Sequence, residues 1–254
     1  MMVVWQPLVS VKEEPKEYIQ QTDEMLYGDT CEILEEAGEY VKIRSDYGYE
    51  GYVLREALTE LTVEPNAMVS VPFGDFLPQA MNWYAPVSVL PRGARVHVED
   101  YPDRPRYGVG KMHRGEDLYV HKNHLREIPT GEGTEEELRE RIVKAALSYL
   151  GVQYRWGGRT PAGVDCSGLC FMAYRLNGLT IWRDADFEKN PHLRKITIEE
   201  AKPGDLMFFP GHIAMYLGNG EFVHSTAGVG MVVRDTLENA KDLVARMHTV
   251  ATYF

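Results

Sequence analysis

Two cysteines one helical turn apart, Cys166 and Cys170 in "GVDCSGLCFMAYRLNG" (163–178), are the residues whose type and spacing most invite chemistry in this 254-residue chain. A cysteine can be a nucleophile, a metal ligand or a small buried hydrophobe. Asp165 is a strong N-cap and Asn177-Gly178 a C-terminal stop, so the stretch predicts a helix with Cys166 in its first turn. The unpaired N–H groups and the positive dipole end at that position favour thiolate, the reactive form. Cys170 lies one turn deeper among Leu169, Phe171 and Met172, where burial favours the inert thiol.

A thiol nucleophile needs an imidazole within hydrogen-bond reach and a third group to orient that imidazole. His192, His212, His224 and His248 are the histidines of the same half of the chain. The stretch "GDLMFFPGHIAMYLGNGEFVHSTAG" (204–228) reads as strand, turn, strand, with a hairpin signal at Gly218-Asn219-Gly220 between His212 and His224. Opposite residues of an antiparallel pair share a face. A simple two-residue Asn219-Gly220 turn sends the two histidines to opposite faces. An odd loop, with Leu217 opposite Glu221, puts His224 opposite Ala214 and diagonal to His212. Cooperation of the two histidines therefore predicts that the hairpin does not close with a simple two-residue turn. Cys166, His212 and His224 are also zinc ligand types, but no CxxC or HxxxH spacing supports a zinc site, and neither metal nor cofactor is expected.

These residues need elements to position them. "PTGEGTEEELRERIVKAALSYLG" (129–151) opens with a Pro/Gly linker, and Thr134 and Glu137 form a capping-box pattern ahead of an apolar-periodic helix that Gly151 stops. The charged run at 132–140 reads as a solvated helix face. Beyond it, Gly-rich turns, a second helix and strands predict an α+β domain over residues 134–254. The first half is β-rich and weakly repeated. "LYGDTCEILEEAGEYVKIR" and "LPRGARVHVEDYP" share an order of turn then strand, and Tyr52-Val53 precedes Leu58 as Tyr119-Val120 precedes Leu125. Two short β-barrels, 1–63 and 64–129, fit this pattern, with one larger β domain as the alternative. His97, His113, His121 and His124 read as surface residues.

Composition narrows the function. The charge of −11 argues against nucleic acid or an anionic membrane face as partner and suits a substrate carrying an amine. Three cysteines make no disulfide framework. "MMVVWQPLVS" lacks a basic n-region and Glu13 and Glu14 follow it, so the cytoplasm is expected unless a leader has been removed. No run of 18 apolar residues predicts a transmembrane helix.

The motifs "YRWGGRTPAGVDCSGL", "RDA", "KPGDLMFF" and "GHIAMYLGNGEFVHS" resemble, in order and type, those of the NlpC-type cell-wall cysteine peptidases, over residues 134–254. The resemblance implies a papain-like fold, with Cys166 as nucleophile, His212 as general base and acid, and His224 orienting His212. It implies further that the Cys166 backbone N–H and the Tyr154 hydroxyl stabilise the oxyanion. The first half resembles the bacterial SH3-like modules that precede this domain in γ-D-glutamyl-L-diamino acid endopeptidases. Those enzymes cut murein peptides that have a free N-terminal L-Ala. Asp165 and Ser167 are similar to their residues for the L-Ala amine and D-Glu carboxylate. Tyr49 and Glu24 are similar to the first module's substrate-facing tyrosine and its acidic partner. Trp156 is expected as a cleft wall, and Arg183 and Asp184 as further substrate contacts. Ala185 stands where some members have serine, removing one hydrogen bond to the D-Glu carboxylate. The expectation is a monomeric endopeptidase for murein turnover fragments. An N-acetylmuramoyl-L-alanine amidase and a non-catalytic wall-binding protein are the alternatives.

Overall fold

Short strands between glycine turns build the first of the two units, Met1–Ile128 and Pro129–Phe254, of the computed structural model, which describes residues 1–254. Seven strands come first: β1 (Met2–Val4), β2 (Leu8–Lys12), β3 (Gln21–Leu26), β4 (Thr30–Ala37), β5 (Tyr40–Ser45), β6 (Glu50–Leu54) and β7 (Leu58–Glu60). Seven more follow: β8 (Ala67–Val69), β9 (Phe73–Leu77), β10 (Ser88–Pro91), β11 (Arg95–Asp100), β12 (Tyr107–Lys111), β13 (Leu118–His121) and β14 (Leu125–Glu127). The spatial orders are β3-β2-β6-β5-β4-β1-β7 and β10-β9-β13-β12-β11-β8-β14. Counted within each set, both read third, second, sixth, fifth, fourth, first, seventh. The weak sequence repeat is thus a repeat of topology. Its signature residues sit at equivalent places, since a one-turn 3₁₀ helix (Arg55–Ala57, Lys122–His124) joins the sixth strand to the seventh each time.

Alternating burial explains the strands. In β2, Val9 and Val11 enter a core with Met25, Val41, Ile43 and Val53 while Ser10 faces out. The turn at Gly28 has a second constraint. Its φ is +81°, and a Cβ there would lie 2.0 Å from the carbonyl oxygen of Arg95. The Arg95 N–H also donates to Tyr27 O at 2.9 Å, so the two sheets dock backbone to backbone at this turn. His113 stacks on Tyr27 at 5.3 Å, and burial lowers its pKa. His97, His121 and His124 are half-buried as well. The four histidines are therefore partly covered surface residues, with His113 packed at the sheet-to-sheet dock.

The second unit begins with α1 (Glu135–Leu147), whose capping box forms as the sequence predicts. Glu137 N–H donates to Thr134 Oγ1 at 3.3 Å and Thr134 N–H to Glu137 Oε2 at 3.0 Å. Arg139 departs from the solvated-face reading. It is buried and donates to Glu135, Asp205, Pro203 O and Thr252 Oγ1 at 2.8–3.0 Å, its guanidinium 4.5 Å from the Phe254 ring. The hairpin β15 (Arg159–Thr160) and β16 (Gly163–Val164) leads into α2 (Cys166–Arg175). A six-stranded antiparallel sheet follows, from β17 (Arg194–Ile196), β18 (Leu206–Phe209), β19 (His212–Gly218), β20 (Glu221–Thr226) and β21 (Met231–Thr236), then α3 (Lys241–Val244) and β22 (Thr249–Thr252). Its order is β17-β22-β18-β19-β20-β21. α2 packs on α1, β19 and β20, and every residue from Cys166 to Tyr174 is buried. That explains the nearly unbroken apolar run of this helix. No helix is long and apolar enough to cross a membrane.

Candidate active site

Asp165 caps α2 as its sequence position predicts, accepting from Gly168 N–H at 2.6 Å in extended backbone conformation. Cys166 is therefore the first helical residue, and its own N–H has no acceptor within the helix. The backbone N–H groups of Ile213 and Ser167 point at its sulfur and favour thiolate, as does the Arg183 charge. Burial acts the other way and is the largest influence, with the Asp165 charge next, so the thiol is pushed up to about 11. This corrects the expectation from the helix mouth alone, because the mouth is lined by protein rather than open to water. Cys170 is fully buried, and burial raises its pKa well above the ordinary thiol value.

The Ile213 N–H at Cys166 brings the start of β19 to the thiol, and His212 is the adjoining residue. His212 Nε2 lies 2.9 Å from His224 Nδ1, with ring centroids 5.1 Å apart in edge-to-face geometry. The parity device differs from the predicted one. Gly218 pairs with Glu221, so Asn219-Gly220 is a two-residue turn, with φ of 53° and 76° at its two positions. The register then slips at Leu217, and Tyr216 pairs with Phe222 and Met215 with Val223. One bulged residue restores the parity an odd loop would have given, and His212 and His224 share a face.

Burial, then the His224 charge, then Arg246 push the His212 pKa down to about 4. Burial lowers His224 too, with Asp235 opposing. Burial thus disfavours the charged form of both the Cys166 thiol and the His212 imidazole. Tyr154 lies within electrostatic range of Cys166 and Asp165, and burial first, then those two charges, push its hydroxyl up to about 12. It stays a protonated hydrogen-bond donor. Its N–H donates to Gly230 O at 2.7 Å, which holds the Tyr154 loop against the end of the sheet.

Around the thiol the acid is internally engaged. Asp165 Oδ1 accepts from Gly168 N–H, from Ser167 Oγ at 3.3 Å and from Arg183 Nη1 at 3.0 Å, and Oδ2 accepts from Gly157 N–H at 2.7 Å and Arg183 Nη2 at 3.2 Å. Arg183 is fully buried and also donates to Ser167 Oγ at 2.9 Å and Gly158 O at 3.3 Å. The structure therefore moves Arg183 from the substrate-contact group to a supporting place behind Asp165 and Ser167. Asp184 is half-buried, and its carbonyl accepts from Asp186 N–H. Trp156 is 56% exposed. In the first unit, Glu24 is buried on β3 beside Asp23, which accepts from the Tyr47 hydroxyl, so Glu24 is not a solvated carboxylate. Tyr49 is buried and its N–H donates to Ser45 Oγ at 3.0 Å.

Sequence reasoning passed over Ser225. Its buried hydroxyl donates to Val164 O at 2.6 Å, tying the residue after His224 to the residue before the cap of α2. No local pattern marks such a bond across 61 positions. No three His, Cys, Asp or Glu side chains converge to hold a metal ion.

Comparison with known proteins agrees with this layout. The NlpC/P60 family model matches residues 151–245, and a bacterial SH3 domain model matches residues 8–59. Dipeptidyl-peptidase 6 of Lysinibacillus sphaericus is 34% identical over 241 residues, covering 91% of this chain and 89% of its own. The gamma-D-glutamyl-L-lysine dipeptidyl-peptidase of Bacillus cereus is 25% identical over 228 residues, covering 79% and 66%. A crystal structure of an NlpC/P60 family protein from Bacillus cereus superposes with a TM-score of 0.84 at 19% identity, over 99% of both chains, and shows the shared fold.

Proposed function

The chain belongs to the NlpC/P60 family of cell-wall peptidases, with SH3-like β domains ahead of a papain-like domain, and we propose that it is a cysteine endopeptidase acting on the γ-D-Glu–diamino acid bond of murein peptides with a free N-terminal L-Ala. The observation that carries the cysteine mechanism is the His212–His224 pair at 2.9 Å, with His212 on the strand whose Ile213 N–H meets the Cys166 sulfur. The bond assignment rests on likeness to relatives named as γ-D-glutamyl-L-lysine dipeptidyl-peptidases.

In this reading His224 holds His212 Nε2, leaving Nδ1 to take the Cys166 proton. The sulfur attacks the γ-carbonyl carbon of D-Glu as that proton moves to His212. The oxyanion is met by the Cys166 N–H at the head of α2 and the Tyr154 hydroxyl. His212 then protonates the leaving amine of the diamino acid, and the C–N bond breaks. Water gives a proton to His212 and its oxygen to the acyl carbon, and the thiol is restored. A free L-Ala amine exists only after the sugar is gone, so the reading places the enzyme in turnover or recycling of fragments.

The test is L-Ala-γ-D-Glu-diaminopimelate incubated with wild type and with Cys166→Ala, products read by mass spectrometry. L-Ala-γ-D-Glu and free diaminopimelate from wild type alone are expected. No cleavage by wild type, or equal cleavage by both, ends the proposal. Cleavage of a muramoyl-L-Ala bond instead identifies an amidase.

A further inference from the structure

The second seven-stranded set carries a concavity that the hydrolytic chemistry does not use. It encloses about 570 Å³, within the range of small-ligand sites. Its wall joins β9, the loop at 81–83, the turn at 104–106 and the end of β13 with the 3₁₀ turn behind it. We propose that this cavity binds a short acidic peptide, with its carboxylates on Arg104 and Arg106 and an apolar side chain against Trp83.

Charge is the first argument. The chain as a whole carries −11, yet this wall has two arginines against one carboxylate, Asp75. Neighbouring cations are already spent, Lys111 on Glu99 and Asp117 and Lys122 on Asp100. Arg104 and Arg106 are exposed and lie in no ion pair, on a turn whose backbone is fixed by Tyr107 N–H to Arg104 O and Lys122 N–H to Arg106 O, both at 2.9 Å. Two guanidinium forks two residues apart fit carboxylates bidentately.

The second argument is the polar and apolar lining. His121 Nδ1 accepts from Asn123 N–H at 3.2 Å, which places the His121 proton on Nε2 as a donor. His124 lines the wall beside it. Trp83 is 72% exposed, a large apolar face at the rim that no protein side chain covers fully. A peptide supplies carboxylates, N–H groups and an apolar side chain together, whereas a neutral glycan leaves both guanidinium groups unmatched.

Calorimetry on the full chain tests this with N-acetyl-Glu-Leu-Glu, its neutral counterpart N-acetyl-Gln-Leu-Gln-amide, and tetra-N-acetylchitotetraose. The acidic peptide is expected to bind saturably at millimolar concentration or below, and more weakly as salt rises. Arg104→Gln/Arg106→Gln is expected to lose at least about tenfold in affinity, and Arg104→Lys/Arg106→Lys an intermediate amount because charge remains and the fork is lost. Hydrolysis of the murein tripeptide should be unchanged in both variants, which separates this site from the catalytic one. No saturable binding of the acidic peptide, equal binding of the neutral peptide or the sugar, or full affinity in the double glutamine variant would overturn the proposal.

Discussion

Arg183 reaches both carboxylate oxygens of Asp165, at 3.0 and 3.2 Å, from a position with no exposure to solvent. The acid next to Cys166 thus has its charge balanced from behind while it caps α2 in front. Removing the guanidinium leaves a buried carboxylate with only neutral donors. Arg183→Met should therefore cost about 3–5 kcal/mol, read as a lower denaturation midpoint. A change below about 1 kcal/mol would mean that the pair does not hold the helix start.

In the proposed mechanism the pH profile follows from burial of Cys166 and His212. Protonated His212 accepts no proton from Cys166, so kcat/KM falls as pH drops through the His212 pKa. That pKa is depressed to about 4 and the thiol raised to about 11, so the acidic limb should lie well below the ordinary imidazole value. The same shift acts on stability. An unfolded chain takes up a proton near 6.5 that folded His212 refuses until about 4, so stability should decline with falling pH across that window. An acidic limb at 6.5 or above contradicts this assignment.

Tyr154 is a donor throughout the assay range, its hydroxyl pushed up to about 12. Tyr154→Phe keeps the ring and removes the donor. The expected result is a fall of roughly 10²-fold in kcat with KM nearly unchanged, as for loss of one oxyanion donor. A rise in KM with kcat intact would place the hydroxyl on the bound substrate instead.

Gly28 and Gly38 both sit at positive φ, +81° and +70°, but only Gly28 faces another backbone at 2.0 Å. Gly38→Ala should cost about 1–2 kcal/mol from conformation alone. Gly28→Ala adds the overlap with Arg95 and should lower the melting temperature clearly more. Equal shifts for the two would show that the turn can move away from β11.

Local chemistry was readable in the sequence where short-range rules govern it. The Asp165 cap, the Thr134–Glu137 box and the Asn219-Gly220 turn each depend on residues within four positions, and each is where the pattern puts it. The fold was also legible, through the spacing of turns and the resemblance of "DCSGL" and "GHIAMYLG". What escaped is set at long range. Arg139 meets Asp205 across 66 positions and Arg183 meets Asp165 across 18, and no local signal separates such arginines from solvated ones. The thiol was judged from the helix mouth, while its proton affinity depends on how deeply the rest of the chain buries that mouth.

The Leu217 bulge lets the hairpin absorb a change of length at one place and nowhere else nearby. Leu217 is extra to the ladder, so its deletion leaves Gly218 opposite Glu221 and Tyr216 opposite Phe222, and both imidazoles keep their face. A residue lost between His212 and the bulge, with the bulge kept, moves His212 through the sheet, because strand faces alternate residue by residue. Which position loses a residue, rather than how many residues separate the two histidines, should decide whether the pair survives.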